Sequence, residues 1–394
     1  MHKNKLDISI ISRKSLRIGA LVASMALALV LSLPQVPPQL LAQAKLTGAR
    51  GLRTLWSKPV RPPVCITVTP DGRFTAVLAE DGSLTYYDET GRLLWRQDTD
   101  GARAVTLSGD GKILLTYTPL NPVKSQIKFW TSEGRVRWKQ KLSNAIWSAA
   151  ISHDGSTAVI GTGKKRVYIY TLNRGLRYRR RTLPGIPFSM ALSPDNQKLI
   201  VGMWQESGVG VFTLKGKEIW RSKGSEDLQY TIQMSRNGNY ILGMAQPNRP
   251  KPEATLGLWK SDGTRLLSKA LNLNDVRAAI SPTGDIVAVS YRQQIVHGKE
   301  TMSERKLALY NRSGGKVWDR EKGGVFFKPE LHAVFSGNQI LVSSDNTLYL
   351  LDTYGKMSKL KMPATIREVY GAPPSGKAIV YCGDGHIYML DTSL

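Results

Sequence analysis

The sequence predicts an all-β fold, an eight-bladed β-propeller closed by an N-terminal strand and preceded by one N-terminal hydrophobic helix. Three observations favour this fold. A segment typified by YDETGRLLW, residues 87–95, recurs about every forty residues, and a second group of tight turns lies between its copies. The repeats also begin with an isolated strand and end one strand short, which predicts a closed ring.

The recurring segment has the features of a β-hairpin. Its copies are FWTSEGRVRW, FTLKGKEIW, LWKSDGTRLL and YNRSGGKVW, and each places an apolar residue four positions after a glycine, as from Gly91 to Trp95. Glycine adopts the positive φ that a tight turn requires, and alternating residues on either side suit antiparallel strands. We therefore expect this segment to form the third and fourth strands of each blade.

The second group of turns marks the first two strands of each blade. Each turn follows a short apolar strand, and the eight turns begin at Pro70, Gly109, His153, Pro194, Arg236, Pro282, Gly337 and Pro374. The last unit stops at Leu394 without a fourth strand, whereas Leu52 to Trp56 has the pattern of a fourth strand with no others before it. Pairing the two would close the ring and remove an exposed sheet edge.

The N-terminal segment predicts export. Basic residues precede an uncharged apolar run, Ile18 to Leu33, which is followed by prolines and by Ala42-Gln43-Ala44. This order is typical of a secretory signal, and both cleavage and retention as a membrane anchor remain open. The domains expected are a signal peptide or signal anchor with a Pro-rich linker at 1–44 and an eight-bladed propeller at 45–394, extracytoplasmic and either membrane-anchored or secreted.

The net charge of +25, from 55 basic and 30 acidic side chains, favours anionic partners. Export argues against nucleic acid. The partners expected are therefore a protein, peptide or glycan at the cell envelope, with anionic lipid or wall polymer as further candidates and the membrane itself through the N-terminal segment. Many basic residues, including Arg135, Arg137, Arg179 and Arg181, fall on predicted outer strands. Protection of sheet edges and a basic side wall both explain them.

The segment Asp88 to Trp95, of the form Asp-x-x-Thr-Gly-x-x-x-Trp, resembles the tryptophan-docking repeat of quinoprotein-like propellers, the pyrroloquinoline-quinone-repeat superfamily. The Ser/Thr-Pro-Asp-Gly turns also resemble those of WD-type repeats. The resemblance implies that Trp95, Trp138, Trp220 and Trp318 pack between neighbouring blades. It also implies, by likeness to noncatalytic extracytoplasmic members, a docking platform with no cofactor.

No catalytic, cofactor-binding or metal-binding residues are predicted. The dehydrogenases of this superfamily hold their cofactor with adjacent cysteines, and this chain has only Cys65 and Cys382. Its few histidines lack metal-ligand spacing, and no G-x-S-x-G motif is present. The expectation is a noncatalytic binding scaffold, and the alternative is an extracytoplasmic quinoprotein-like or glycan-active propeller enzyme. Cys65 and Cys382 are expected on neighbouring blades, where a disulfide and two free thiols both remain open.

The binding surface is predicted from loop lengths. The largest insertions between second and third strands are residues 246–255 and 292–306, which should emerge on one face of the propeller. Three successive first strands carry an aromatic residue five positions before the turn serine: Trp147, Phe188 and Tyr230. We expect Arg249, Lys251, Arg292, His297 and Lys299 to border the recognition site and the three aromatics to form its floor. Packing between blades is the alternative for the aromatics.

Overall fold

The computed structural model describes residues 52–172, 177–204, 207–224, 228–247, 254–271, 274–297, 300–319, 333–336, 339–352, 357–372 and 375–393. Within these ranges the regular elements are β-strands, which form eight four-stranded groups that we number sheets 1 to 8. A single pairing, Trp204 opposite Gln229, joins sheets 4 and 5 into one eight-stranded sheet. The predicted N-terminal hydrophobic segment lies outside the described residues. In the part of the chain that is described, no helix has the length and apolar character needed to cross a membrane.

Sheets 1 to 4 follow one another along the chain. Sheet 1 contains β2 (Pro63–Val68), β3 (Thr75–Ala79), β4 (Ser83–Tyr87) and β5 (Leu93–Asp98). Sheet 2 contains β6 (Ala104–Leu107), β7 (Ile113–Asn121), β8 (Lys124–Thr131) and β9 (Val136–Leu142). Sheet 3 contains β10 (Ile146–Ile151), β11 (Thr157–Thr162), β12 (Arg166–Thr171) and β13 (Arg177–Thr182). Sheet 4 contains β14 (Ile186–Leu192), β15 (Lys198–Trp204), β16 (Ser207–Thr213) and β17 (Glu218–Lys223).

Sheets 5 to 8 continue the series, and the last takes its outer strand from the beginning of the chain. Sheet 5 contains β18 (Leu228–Met234), β19 (Tyr240–Pro247), β20 (Ala254–Lys260) and β21 (Arg265–Leu271). Sheet 6 contains β22 (Asn274–Ile280), β23 (Ile286–His297), β24 (Glu300–Asn311) and β25 (Lys316–Asp319). Sheet 7 contains β26 (Ala333–Ser336), β27 (Gln339–Ser344), β28 (Thr347–Leu351) and β29 (Met357–Lys361). Sheet 8 contains β30 (Ile366–Ala372), β31 (Lys377–Cys382), β32 (His386–Asp391) and β1 (Arg53–Pro59).

The first strands of the sheets contact one another in a closed cycle. The contacts run in the order β2, β6, β10, β14, β18, β22, β26 and β30, and β30 contacts β2 again. Strand β1 pairs antiparallel with β32, from Arg53 opposite Asp391 to Pro59 opposite His386. The predicted pairing of an N-terminal strand with the last strand is confirmed, with the strand at Arg53–Pro59 rather than at Leu52 to Trp56.

The apolar core lies between neighbouring sheets. Every residue of β3 and of β11 is buried, because a middle strand is covered on both faces. The outer strands β5 and β17 are mostly exposed. Each buried cluster is shared by two adjacent sheets, as where Ile169 of sheet 3 packs with Leu199 and Val201 of sheet 4. Stability is therefore the sum of contacts between nearest neighbours around the ring.

The turns between first and second strands share one hydrogen-bond pattern. In sheet 3, Ser152 Oγ donates to Asp154 Oδ1 (2.6 Å) and accepts from Thr157 N (3.0 Å). Sheets 1, 2 and 4 repeat the hydroxyl-to-carboxylate bond, from Thr69 to Asp71, Ser108 to Asp110 and Ser193 to Asp195. In sheet 5 an amide takes the carboxylate's place, since Ser235 Oγ donates to Asn237 Oδ1 (2.7 Å). The recurring polar residues thus determine the geometry of these hairpins.

The turn carboxylates predict a loss of stability in acid. Burial by itself would raise the pKa of Asp154, but hydrogen bonds from Ser152 and Ser156 outweigh it and hold that pKa below its ordinary value. Because the folded-state pKa is the lower one, the stabilisation is complete above the unfolded value of about 4 and is lost as pH falls through the folded pKa. We expect Asp154→Asn to lower the melting temperature at about pH 7 and to lower it progressively less as the pH falls below about 4.

Thermal melts of the wild type and Asp154→Asn across this pH range check the expectation. Asparagine is compatible with the turn, because Asn237 already fills the equivalent position. An equal drop in melting temperature at both ends of the pH range would mean that the carboxylate charge contributes nothing.

One predicted loop is wrong. Residues 292–306 were expected to form a long insertion, but β23 and β24 extend through them as a paired hairpin, with Arg292 opposite Arg305 and His297 opposite Glu300. The segment has no proline, and its only glycine, Gly298, falls between the two strands, so nothing earlier stops the ladder of hydrogen bonds. Of the other insertion, β19 continues to Pro247 and β20 begins at Ala254.

Cys65 and Cys382 lie in adjacent sheets, on β2 and at the end of β31, as the sequence predicts. Both thiols are free. Burial raises the pKa of Cys382 to about 12, so this thiol stays protonated at neutral pH.

Candidate functional site

Three tryptophans join neighbouring sheets by the same contact. Each indole Nε1 donates to a main-chain oxygen in the next sheet: Trp56 to Glu89 O (2.9 Å), Trp95 to Ser132 O (2.7 Å) and Trp220 to Ser261 O (3.1 Å). Each ring lies against a glycine of positive φ in that turn, respectively Gly91, Gly134 and Gly263. No side chain larger than hydrogen fits there, because a Cβ at Gly134 would lie 2.8 Å from the ring of Trp95. The glycine therefore serves the turn and the docking contact together.

These contacts confirm the role between sheets that the resemblance implied for Trp95 and Trp220. Trp138 packs against the apolar cluster shared by sheets 2 and 3. The side chain of Trp318 lies outside the described residues. Between sheets 5 and 6 a leucine replaces the indole, since Leu267 lies against Gly314.

Trp147 and Phe188 occupy equivalent β-bulges near the beginning of the first strands of sheets 3 and 4. The pairing register shifts between Ile146 and Ser148 in β10, and between Pro187 and Ser189 in β14. A bulged residue has no partner opposite it, so its side chain leaves the regular alternation of the strand. Both rings are half-buried, and their centroids lie 6.3 Å apart. We call this pair the aromatic ledge.

The aromatic ledge borders a cavity of about 280 Å³ between the first strands of sheets 2, 3 and 4. Ser148 and Ser189 line the same cavity. Trp204 supports the ledge from the side, with its ring centroid 5.6 Å from that of Trp147. Among the described residues Trp147 Nε1 has no hydrogen-bond acceptor, unlike the three docked tryptophans. A half-buried indole with a free donor can bind a partner's carbonyl and apolar surface together.

Tyr230 has the same spacing from its turn but lies elsewhere. Strand β18 pairs with β19 without a register shift, so Tyr230 is directly opposite Ala245. Its ring is buried in the cluster between sheets 4 and 5, together with Ile200 and Val211. The absence of a bulge in β18 is the physical reason, because a shift of one residue exchanges the two faces of a strand. The structure thus brings two of the three predicted floor residues together.

The predicted basic border cannot be placed side chain by side chain. Arg249, Lys251 and Lys299 lie outside the described residues. The main chains of Arg292 and His297 belong to β23, and their side chains are also outside the described set. Their role at a recognition site stays a prediction.

Two arginines that sequence reasoning missed occupy the equivalent position in other sheets. Arg367 is the bulged residue of β30, between Ile366 and Glu368, and it is exposed. Arg103, also exposed, directly precedes β6 in the sheet next to Trp147. The spacing that selected the aromatics, five residues before the turn serine, also selects Arg103. Cationic side chains therefore share this end of the ring with the ledge.

Glu368 is a third residue that sequence reasoning missed. The residue is exposed, but the strands around its carboxyl group partly remove that group from water and raise its pKa, and the charge of Arg277 on β22 acts in the opposite direction. Tyr370 donates its hydroxyl hydrogen to Glu368 Oε2. Among the described side chains of the first strands, Glu368 is the only carboxylate. In the same described ranges no group of three His, Cys, Asp or Glu is arranged to hold a metal ion.

Comparison with known proteins agrees with this architecture. Residues 11–121 match the family model described as outer membrane protein assembly factor BamB. A search of curated proteins gives no match. Among solved structures, BamB from Moraxella catarrhalis is similar with a TM-score of 0.62 and 15% identity, over 86% of this chain and 97% of that one.

Two eukaryotic propellers are also similar in fold. Sqt1 from Saccharomyces cerevisiae has a TM-score of 0.61 and 11% identity, over 85% of this chain and 96% of that one. The Cps50 (Swd1) β-propeller domain from Myceliophteria thermophila has a TM-score of 0.54 and 13% identity, over 87% and 100% of the two chains. Identities this low show a common fold. The family match is confined to residues 11–121, and the similarity to solved structures shows that the chain has a β-propeller fold.

Proposed function

We propose that this chain is an exported or membrane-anchored, noncatalytic eight-bladed propeller that binds a protein partner at the cell envelope. The aromatic ledge is the observation that carries the proposal. Its two rings lie 6.3 Å apart, half-buried, beside a cavity of about 280 Å³ at one end of the ring of first strands. Aromatic side chains that are rigid and partly open to solvent are typical centres of protein interfaces.

The ledge suits an apolar side chain presented by a partner's loop or strand. The cavity accepts the side chain, and Trp147 Nε1, which has no acceptor among the described residues, can donate to the partner's main-chain carbonyl. Arg103 and Arg367 add positive charge around the same end, which favours a partner with acidic residues beside the apolar one. The paired hairpin of β23 and β24 extends at this end as well and supports a wide contact surface.

The envelope location rests on two supports. The first is the N-terminal sequence, a basic segment followed by the apolar run Ile18 to Leu33, which is typical of an export signal. The second is the family match, whose description refers to outer membrane protein assembly. From that description we extend to this chain the envelope location and a role in contact with protein. Anionic lipid, wall polymer and glycan are the competing ligands that the net charge suggests.

The enzyme alternative rests on Glu368 and Arg277. A glycan-active site of the usual kind needs a pair of carboxylates that flank the bond to be broken. Glu368 supplies one, with a raised pKa that suits a general acid. Glycan turnover by the purified protein that disappears in Glu368→Gln would favour this alternative over the scaffold.

Photo-crosslinking in cells tests the proposed scaffold. A photoreactive amino acid is placed at position 147 or 188, and matched controls carry it at 93 or 136, where Leu93 and Val136 are 50% and 43% exposed on outer strands. We expect ledge positions to yield one discrete adduct with a protein of the envelope fraction, and control positions to yield none. Equal adducts from ledge and control positions, or ledge adducts with only lipid or glycan, would contradict the proposal.

A further inference from the structure

The interface between sheets 3 and 4 lacks the docked tryptophan of the repeat. Ile169 packs with residues of sheet 4, so its side chain lies on the face toward that sheet. Arg179 is paired with Ile169 and therefore shares this face. It also stands four positions after Gly175, the offset at which Trp95 follows Gly91. An arginine thus takes the place of the indole at this one interface.

Arg181 replaces one part of the missing contact. Its side chain lies against Gly216 of sheet 4, and its Nε donates to Lys215 O (2.8 Å). Arg179 is exposed and forms no ion pair with another described residue. Beside Arg179, an open cavity of about 500 Å³ lies between the two sheets. Ile169 and Leu214 supply its apolar lining, and Arg179 and Lys215 supply positive charge.

The strand beside this cavity is unusually open. All described side chains of β13, Tyr178 to Thr182, are exposed, whereas half-buried residues recur along β9, β17 and β21. In the described structure β13 pairs only with β12, so its outer edge carries unpaired main-chain donors and acceptors. Its sequence, RYRRRT, contains no acidic residue and no proline.

We propose that the groove formed by β13 and this cavity binds an extended acidic segment of a protein. The segment adds a strand to the edge of β13, its carboxylates pair with the arginines, and one apolar side chain enters the cavity beside Ile169 and Leu214. A flat anionic membrane would meet the arginine tips but leave the cavity and the strand edge unused. Protection of the edge from self-association explains the charge but not the cavity. This surface is separate from the aromatic ledge.

Fluorescence anisotropy with labelled synthetic peptides tests the proposal on the full chain. The probe is a peptide of about ten residues that alternates glutamate and valine around a central phenylalanine, long enough to cover one strand. One control peptide replaces glutamate by lysine, and another carries proline at alternate positions to remove main-chain donors. Vesicles of anionic lipid are measured in parallel.

The central variant is Arg179→Trp, which restores the repeat residue, removes the guanidinium charge and places an indole at the edge of the cavity. Arg180→Ala is its control. This substitution removes the same charge, but Arg180 pairs with Tyr168 and lies on the opposite face of the sheet. We expect Arg179→Trp to weaken binding of the acidic peptide about tenfold or more and Arg180→Ala to weaken it only about twofold. Arg179→Ala, which removes the same single charge as Arg180→Ala, replaces it should the tryptophan variant fail to fold.

Stronger binding of the acidic peptide than of both control peptides, with loss confined to position 179, is the supporting result. Equal loss in Arg179→Trp and Arg180→Ala would overturn the proposal, because it would show attraction to net charge alone. Binding of the proline peptide as tight as that of the acidic peptide would overturn the strand addition. Binding of vesicles without binding of peptide would overturn the choice of partner.

Discussion

Deletion of residues 45–59 is expected to unfold the protein or drive it into aggregates. The deletion removes β1 and leaves the edge of β32 unpaired along the six residues His386–Asp391. It also removes Leu52, which is 1% exposed, and Trp56, which is 9% exposed. Loss of these two side chains alone costs about 5–10 kcal/mol, comparable with the whole folding free energy of about 5–15 kcal/mol of a typical domain.

Circular dichroism measures the folding and the melting temperature of the truncated protein, and size-exclusion chromatography measures its aggregation. A deletion of residues 45–49, which spares β1, is the matched control and should leave the melting temperature unchanged. A monomeric product of the longer deletion with the wild-type melting temperature would show that the ring does not depend on closure by β1.

Replacement of Trp95 by alanine is expected to lower the free energy of unfolding by about 3 kcal/mol. The indole donates to Ser132 O at 2.7 Å and lies against Gly134 of the next sheet. Its ring also packs against Tyr86 and Trp130, with centroids 5.2 and 6.4 Å away. Alanine removes these contacts and leaves a gap between sheets 1 and 2 that the rigid turn of Gly134 cannot fill.

Tyr178→Ala provides the comparison for the tryptophan replacement. Tyr178 is also an outer-strand aromatic, but it is 48% exposed and stacks within its own sheet on Tyr168 and Tyr170. Denaturant unfolding should show a loss of about 1 kcal/mol for this variant. Equal losses in the two variants would mean that docking between sheets contributes no more than stacking within a sheet.

Much of the fold could be predicted because its signals are local. The glycine of each outer hairpin and the polar triplet of each inner turn determine backbone geometry within a few residues, and the structure contains both kinds of hairpin. The closing strand was predictable because the repeats begin with an isolated strand and end with a unit that is one strand short. The long hairpin of β23 and β24 was not predicted, because length alone does not distinguish an irregular loop from strands that continue to pair.

The candidate site was less predictable because it depends on single-residue register shifts. Trp147, Phe188 and Tyr230 share one spacing in the sequence. A bulge is present at that position in β10 and β14 but not in β18. A bulge is decided by packing against neighbouring sheets, so the sequence of one strand does not disclose it. The groove beside Arg179 could not be predicted for a similar reason. Its lining comes from sheets 3 and 4 together, so the sequence of β13 alone does not indicate a cavity.

The affinity of the crosslinked partner for a ledge variant tests the central claim most directly. The double variant Trp147→Ala and Phe188→Ala is compared with the control Leu93→Ala and Val136→Ala by calorimetric titration of the purified partner. We predict a dissociation constant raised about a hundredfold for the ledge variant and less than about threefold for the control, with both proteins folded at the titration temperature. A folded ledge variant that binds its partner as tightly as the wild type does would contradict the account.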